Sequence, residues 1–487
     1  MALQISKSVQ QLSTQAMQEL SEQFAHIDAV SHTNTQRVLE AFQEHRVADS
    51  YFAGTTGYGY DDIGRDKLDE IYAHLFGTEA ALVRIQFVNG THAITCALFG
   101  ALKAGDVLVS AVGAPYDTLL GAIGVVDKGP GSLKDYGVEY RQVDLVDDKP
   151  DLEGMAKAAA DPKVKAVLIQ RSKGYSTRAS LSVAEIGEMC KVIKAANPNV
   201  SIIVDNCYGE FVETMEPTHV GADLVVGSLI KNPGGGLAPT GGYIAGRRDL
   251  VEGAAMRLTS PGIGGECGCT LGQNRLLYQG LFLAPHTVAQ AVKTAVFAAK
   301  VMELLGYRTD PLSTDIRHDI IQMIHMEKPG GTSLEEFEKL ISIVKEKNLV
   351  FHTGYMYRYN PTIREVIDNA KNGVYGDIIS VEAQMCGYND RTMRQWLEVF
   401  PGGMMFYLGC HLVDLILTIK GLPDKVYPFN RSTGKDGVTA CDYGLALFEY
   451  PEGMSIAKTC NIEHGGFERR RLVVSGTKGA VELCPLE

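Results

Sequence analysis

Between about residue 80 and residue 250 the sequence alternates short β-branched apolar runs with helical stretches. No other feature constrains the fold as tightly. The runs are Val107-Leu-Val-Ser-Ala-Val112, Val164-Lys-Ala-Val-Leu-Ile169, Val200-Ser-Ile-Ile-Val204, Asp223-Leu-Val-Val226 and Gly242-Tyr-Ile-Ala245. A strand with one face in water alternates apolar and polar residues. Runs that stay apolar belong to a sheet covered on both faces. The helical stretches between them supply both the covers and the crossovers, so the fold predicted is α/β, a mostly parallel sheet flanked by helices. Ligands of such sheets sit beyond the carboxyl ends of the strands, and the residues that follow each run are the ones to inspect for chemistry.

The remainder of the chain places limits on what surrounds that sheet. Residues 1–50 read as a helical arm, with apolar positions recurring every three to four residues at Leu12, Met17, Leu20, Phe24, Ile27, Val38, Leu39 and Phe42. A long alanine-rich helix is predicted over 273–305, another over Glu335–Lys347, and an apolar one over Met404–Lys420. Lys and Arg number 46 against 58 Asp and Glu, a net charge of −12, which argues against nucleic acid or an anionic membrane as a partner. There is no run of apolar residues long enough to span a bilayer, and Met1–Gln23 has no apolar core of a signal peptide. The 10 Cys are scattered, and the closest pair, Cys267-Gly-Cys269, lacks zinc-type spacing. A cytoplasmic chain with reduced thiols and no metal site is the expectation.

Asp205 closes the run Ser-Ile-Ile-Val-Asp, and Lys231 follows the next run in Gly-Ser-Leu-Ile-Lys-Asn-Pro-Gly-Gly-Gly. An acid and a lysine at neighbouring strand ends can face one ligand. Pyridoxal phosphate requires that pair, a lysine for a Schiff base and a carboxylate to hold the pyridine nitrogen protonated. Each residue also has an ordinary reading, the Asp as a turn former and the Lys as a solvated charge. The neighbourhood favours the cofactor. Ser228 precedes Lys231 by one turn and could contact a phosphate. Asn89-Gly90-Thr91-His92-Ala93 opens an apolar helix, where the Gly90 and Thr91 amides would point at an anion. Tyr116, after the first run, could stack on the cofactor ring. Tyr58 and Tyr60, in Thr55-Thr-Gly-Tyr-Gly-Tyr60, could reach a phosphate in a neighbouring subunit.

Taken in order, these motifs resemble the methionine gamma-lyase-related family of fold-type I pyridoxal phosphate enzymes often called aluminium resistance proteins. The matching stretches are Thr-Thr-Gly-Tyr-Gly-Tyr-Asp-Asp-Ile-Gly-Arg-Asp (55–66), Leu-Val-Arg-Ile-Gln-Phe-Val-Asn-Gly-Thr-His-Ala (82–93), Pro-Tyr-Asp-Thr (115–118), Gln-Arg-Ser-Lys-Gly-Tyr (170–175), Val-Asp-Asn-Cys-Tyr-Gly-Glu-Phe (204–211), Gly-Ser-Leu-Ile-Lys-Asn-Pro-Gly-Gly-Gly (227–236) and Gln-Gly-Leu-Phe-Leu-Ala-Pro (279–285). The resemblance implies Lys231 as the covalent lysine, Asp205 as partner of the ring nitrogen and Tyr116 as the stacking residue. It implies Ser228, Gly90 and Thr91 as phosphate holders. It covers residues 1 to about 323, and the small C-terminal domain that helps such enzymes hold a substrate carboxylate is missing.

From about 325 onward the chain resembles another family, the Gfo/Idh/MocA oxidoreductases. Glu327-Lys328-Pro329 matches that family's Glu-Lys-Pro signature, and His411, in Gly402-Gly-Met-Met-Phe-Tyr-Leu-Gly-Cys-His411, matches its catalytic histidine. Two features depart from the pattern. Tyr407 stands where an aspartate is expected, and no Gly-x-Gly-x-x-Gly turn follows a strand. Gly57-Tyr-Gly59 and Gly262-Ile-Gly264 both lack the third glycine. NAD(P) therefore has no site for its pyrophosphate.

The domains expected are a helical arm at 1–50, a pyridoxal phosphate-binding domain at 51–306, a junction at 307–326 and an α+β domain with a largely antiparallel sheet at 327–487. The function expected is a pyridoxal phosphate-dependent lyase acting on a sulfur-containing or related amino acid, assembled as a homodimer or homotetramer. The alternatives are a sugar-type oxidoreductase using Lys328 and His411, and an inactive fusion scaffold.

Overall fold

The computed structural model describes residues 7–486 apart from 127–128, 175, 177, 326–333 and 347–353. The chain divides into two compact units, Met1–His325 and Met326–Glu487.

The first unit is built on a seven-stranded sheet: β1 (Ala80–Arg84), β2 (Val107–Ser110), β3 (Glu139–Gln142), β4 (Val164–Gln170), β5 (Ser201–Asp205), β6 (Leu224–Ser228) and β7 (Gly242–Gly246). Their order is β1-β7-β6-β5-β4-β2-β3. The pairs β3–β2, β2–β4, β4–β5 and β5–β6 are parallel; β7 runs antiparallel to both of its neighbours. All five predicted runs are strands of this one sheet. Alternate residues of each strand enter opposite cores. Val109, Val167, Ile202, Val204 and Val225 face one side, Leu108, Leu168, Ile203 and Val226 the other, as a two-residue period requires. Helices Ile63–Leu75, Val183–Ala196 and Asn274–Leu304 cover the first face, and helices Gly90–Ala101 and Arg248–Leu258 the second. The two strands the apolar pattern missed, β1 and β3, are the two edges of the sheet; β3, of sequence Glu-Tyr-Arg-Gln, is partly exposed and pairs with β2 alone among the described residues. An edge needs no apolar run.

The helices Lys7–Glu19 and Ser21–Glu44, the expected helical arm, are docked on this unit. Asn34 Nδ2 donates to the Phe211 and Glu213 carbonyls at 3.0 Å, Lys293 pairs with Asp28 at 2.6 Å, and Val38 and Ala41 are fully buried. The stretch expected as a junction is, through His325, part of the same unit. β8 (Arg308–Asp310) pairs antiparallel with β9 (Met323–His325). Buried Asp319 accepts from Ser172 Oγ at 2.7 Å and Ser180 Oγ at 2.5 Å, and buried Lys173 pairs with Asp310 at 2.5 Å. Polar side chains of low hydropathy look like linker in a sequence, yet here they satisfy buried groups of the loop after β4.

The second unit has a six-stranded sheet of β10 (Ile378–Cys386), β11 (Lys425–Arg431), β12 (Tyr443–Tyr450), β13 (Gly453–Cys460), β14 (Arg471–Gly476) and β15 (Ala480–Leu483). The order is β11-β12-β13-β10-β14-β15, antiparallel except for β10 with β13. Helices Pro361–Lys371 and Cys410–Lys420 bury Ile363, Ile367, Leu412, Leu415 and Ile416 against Val381, Met385, Phe448 and Val474. The helix predicted from Met404 begins as a π-turn, Met405–Gly409, and becomes α-helical at Cys410. No helix among the described residues is long and apolar enough to cross a membrane.

Candidate active site

A cavity of about 600 Å³ opens at the carboxyl ends of β4, β5 and β6, within the range of cofactor sites. Asp205 ends β5, Ser228 ends the adjacent strand β6, and Lys231 follows three residues later. Pairing of Asp205 with Val226 in parallel register brings these ends side by side. Gly90, Thr91, Tyr116, Asp205, Ser228 and Lys231 all line the cavity. The sheet thus gathers residues that lie far apart in the sequence.

Each is placed by local physics. Asn89 caps the helix Gly90–Ala101, its Oδ1 accepting from the His92 N–H at 2.9 Å, and this turns the first free amides toward the cavity. Glycine at position 90 leaves room for close approach: a Cβ there would meet Cys207 Sγ at 3.2 Å and Ser228 Cβ at 3.3 Å. The Tyr116 N–H donates to Gln170 Oε1 at 3.2 Å, and its hydroxyl lies 3.0 Å from Thr91 Oγ1. Asp205, 5% exposed, accepts from the Cys207 N–H at 3.1 Å. Burial pushes the Asp205 carboxyl above its ordinary value; the Cys207 N–H and thiol and the Lys231 charge oppose this without cancelling it. Burial pulls Lys231 down, but its electrostatic interactions with Cys207, Tyr208, Asp205 and Glu210 outweigh it and leave the lysine raised.

These residues fit pyridoxal phosphate. Ser228 is fully buried and its Oγ has no hydrogen-bond partner among the described residues. It sits beside a helix start that a Cβ at position 90 would crowd. An orphan hydroxyl next to unsatisfied amides suits a phosphate. The buried carboxylate of Asp205 needs a cationic partner, which a protonated ring nitrogen supplies.

Tyr58 and Tyr60 are not brought to this cavity. They are 79% and 52% exposed, with ring centroids 6.0 Å apart. Their loop is tied to the 266–272 loop through Arg65, which donates to the Gly59 carbonyl at 2.6 Å and the Gly268 carbonyl at 3.0 Å. In the second unit, Lys328 lies outside the described residues. His411 is 8% exposed, its ring 5.8 Å from that of Tyr355 and 5.4 Å from that of Tyr357. Cys207 and Tyr208 line the cavity, although residue-by-residue reading gave them no role. Their position immediately after Asp205 was the available signal.

The family model for methionine gamma-lyase matches residues 9–361. The chain belongs to the methionine gamma-lyase family. An uncharacterized protein of Bacillus subtilis, YnbB, is 52% identical over 300 residues, 61% of this chain and 71% of that protein. The crystal structure of a carbon-sulfur lyase involved in aluminum resistance from Clostridium novyi NT is similar at 49% identity and a TM-score of 0.64. That likeness covers 66% of this chain and 77% of the other. The L-methionine gamma-lyase of Pseudomonas putida is 26% identical over 338 residues, 64% of this chain and 79% of that enzyme. Residues 362–482 match a different model, the GFO/IDH/MocA C-terminal domain. A methionine gamma-lyase family fold is therefore followed in one chain by a domain of oxidoreductase type, and the first match runs past His325 into the second unit.

Proposed function

We propose that this protein is a pyridoxal phosphate-dependent lyase that eliminates a β- or γ-substituent from a sulfur-containing or related amino acid. The observation that carries the reading is the meeting of Asp205, Ser228, Lys231 and the Gly90 helix start around one cavity. Membership of the methionine gamma-lyase family supports it. When bound, the cofactor supplies an electron sink for the carbanion left by loss of the Cα proton.

The chain's own residues do the rest. Lys231 would hold the cofactor, and its amine would take the proton from the substrate Cα. Asp205, dry and fixed by the Cys207 N–H, would keep a proton on the ring nitrogen. The Gly90 and Thr91 amides and the Ser228 hydroxyl would hold the phosphate, and Tyr116, its hydroxyl steadied by Thr91, would face the ring. Tyr58 and Tyr60 would act on a neighbouring subunit's phosphate. Borohydride reduction followed by peptide mapping tests the reading: label is expected on Lys231, with thiol and keto acid released from cystathionine or methionine. Label on another lysine, or none, overturns it.

A further inference from the structure

Tyr208 holds a left-handed backbone, φ 71°, a conformation that costs a non-glycine residue about 1 kcal/mol or more. The surrounding turn over-determines it. The Gly209 N–H donates to the Asn206 carbonyl at 2.9 Å. Asn206, fully buried, donates from Nδ2 to Glu216 at 2.9 Å and accepts from Arg171 Nη1 at 2.8 Å. Asn232, next to Lys231, donates to the Glu210 carbonyl at 3.0 Å. This framework turns the Tyr208 ring into the cavity, and Lys231 Nζ stands 3.9 Å from its centroid. An ammonium over a ring face is attracted by the ring's quadrupole, more strongly where water is excluded.

We infer that Tyr208 is a catalytic residue of the lyase site, its ring face holding the Lys231 ammonium at the cavity whenever that nitrogen carries the proton taken from substrate. The inference rests on the reading of Lys231 as the covalent and proton-accepting lysine. In the step concerned, the substrate Cα–H bond breaks and its electron pair stays with carbon. A new N–H bond forms on Nζ, and a neutral amine becomes an ammonium over the ring. The groups interacting with Nζ are Asp205, at the end of β5, and Cys207, Tyr208 and Glu210 from the turn after it, and Tyr116 and Asp117 line the same cavity. The ring face of Tyr208 attracts the cation through its quadrupole and needs no formal charge to do so, so it does not compete with Asp205 for the ring nitrogen.

The test measures Lys231 directly in the full-length chain without cofactor, through the pH dependence of its acetylation by acetic anhydride, read by peptide mass spectrometry. Tyr208→Phe keeps the ring face and is expected to titrate within about 0.2 pH unit of the parent. Tyr208→Leu and Tyr208→Met, two apolar shapes checked for folding by circular dichroism, are expected to lower the Lys231 pKa by about 0.5–1.5 units. In loaded enzyme the same two variants should slow Cα proton exchange while Tyr208→Phe does not. A parental titration in either folded apolar variant overturns the inference. So does a fall in Tyr208→Phe equal to that in Tyr208→Leu, because the hydroxyl would then be responsible. Borohydride label away from Lys231 would instead defeat the functional reading itself, whatever the titration shows.

Discussion

Lys231 and His411 each stand out in the sequence as a polar residue beside apolar neighbours, and the fold treats them in opposite ways. Lys231 comes just after β6, at the carboxyl edge of a parallel sheet, where Asp205, Ser228 and the Gly90 helix start converge on a cavity. His411 lies one residue into the helix Cys410–Lys420, buried and flanked by the rings of Tyr355 and Tyr357. A parallel sheet ends all its strands on one side, so residues from distant segments meet there. A buried helix side chain flanked by one neighbouring segment of its own unit meets only what that segment offers. The difference teaches that a motif residue becomes chemically useful through what the topology brings to it, and each unit can be challenged on that ground.

The sharpest contrast should come from Lys231→Ala. Loss of covalent cofactor attachment and of all measurable elimination is expected, checked by borohydride labelling and turnover. Asp205→Asn should retain cofactor but lose turnover by about 10²–10³-fold, because an amide cannot hold the ring nitrogen protonated. Near-parental turnover would remove Asp205 from the mechanism.

Below these lies a stability effect in the first unit. Glu210 is fully buried; its Oε1 accepts from the Tyr243 hydroxyl at 2.9 Å, and its Oε2 has no partner among the described residues. Burial, with Glu216 nearby, raises its carboxyl to about 8. The folded chain therefore binds a proton that the unfolded chain has released, and stability falls as pH rises from the unfolded value of about 4.5 through about 8. Glu210→Gln should flatten that slope and stabilise the unit at pH 8 by up to about 4 kcal/mol. Denaturant melts at pH 5 and pH 8 that shift in parallel would contradict this.

Gly90→Ala asks Cys207 and Ser228 to give way by a few tenths of an ångström. Cofactor affinity about tenfold weaker, near 1.4 kcal/mol, is expected in an absorbance titration. The smallest effect on lyase turnover belongs to the second unit. His411→Ala should leave elimination unchanged while lowering that unit's stability by about 1–3 kcal/mol through lost packing. A fall in lyase turnover there would erase the contrast between the units.

Much of the first unit was legible in its sequence because a doubly covered parallel sheet writes its burial on every residue of a strand. Val107–Val109 and Ile202–Val204 could hardly be anything else. The polar edge β3 and the hydrogen-bonded segment 308–325 were not legible, since an edge strand and a polar clamp carry no hydropathy signature. Asp205, Lys231, Ser228 and Gly90 could be singled out by their positions after strands and before a helix. The sequence by itself thus determined the layered α/β architecture, the change of pattern near residue 325 and the candidate residues, because local burial and periodicity are written residue by residue. Only the tertiary structure decided which candidates meet. It set Asp205 beside Ser228 through the register of β5 and β6, left Tyr58 and Tyr60 in the open, and laid the Tyr208 ring under Lys231. Such meetings depend on strand order and on a strained turn held by buried Arg171, Asn206 and Glu216, and contacts between residues distant in sequence leave no periodic trace along the chain.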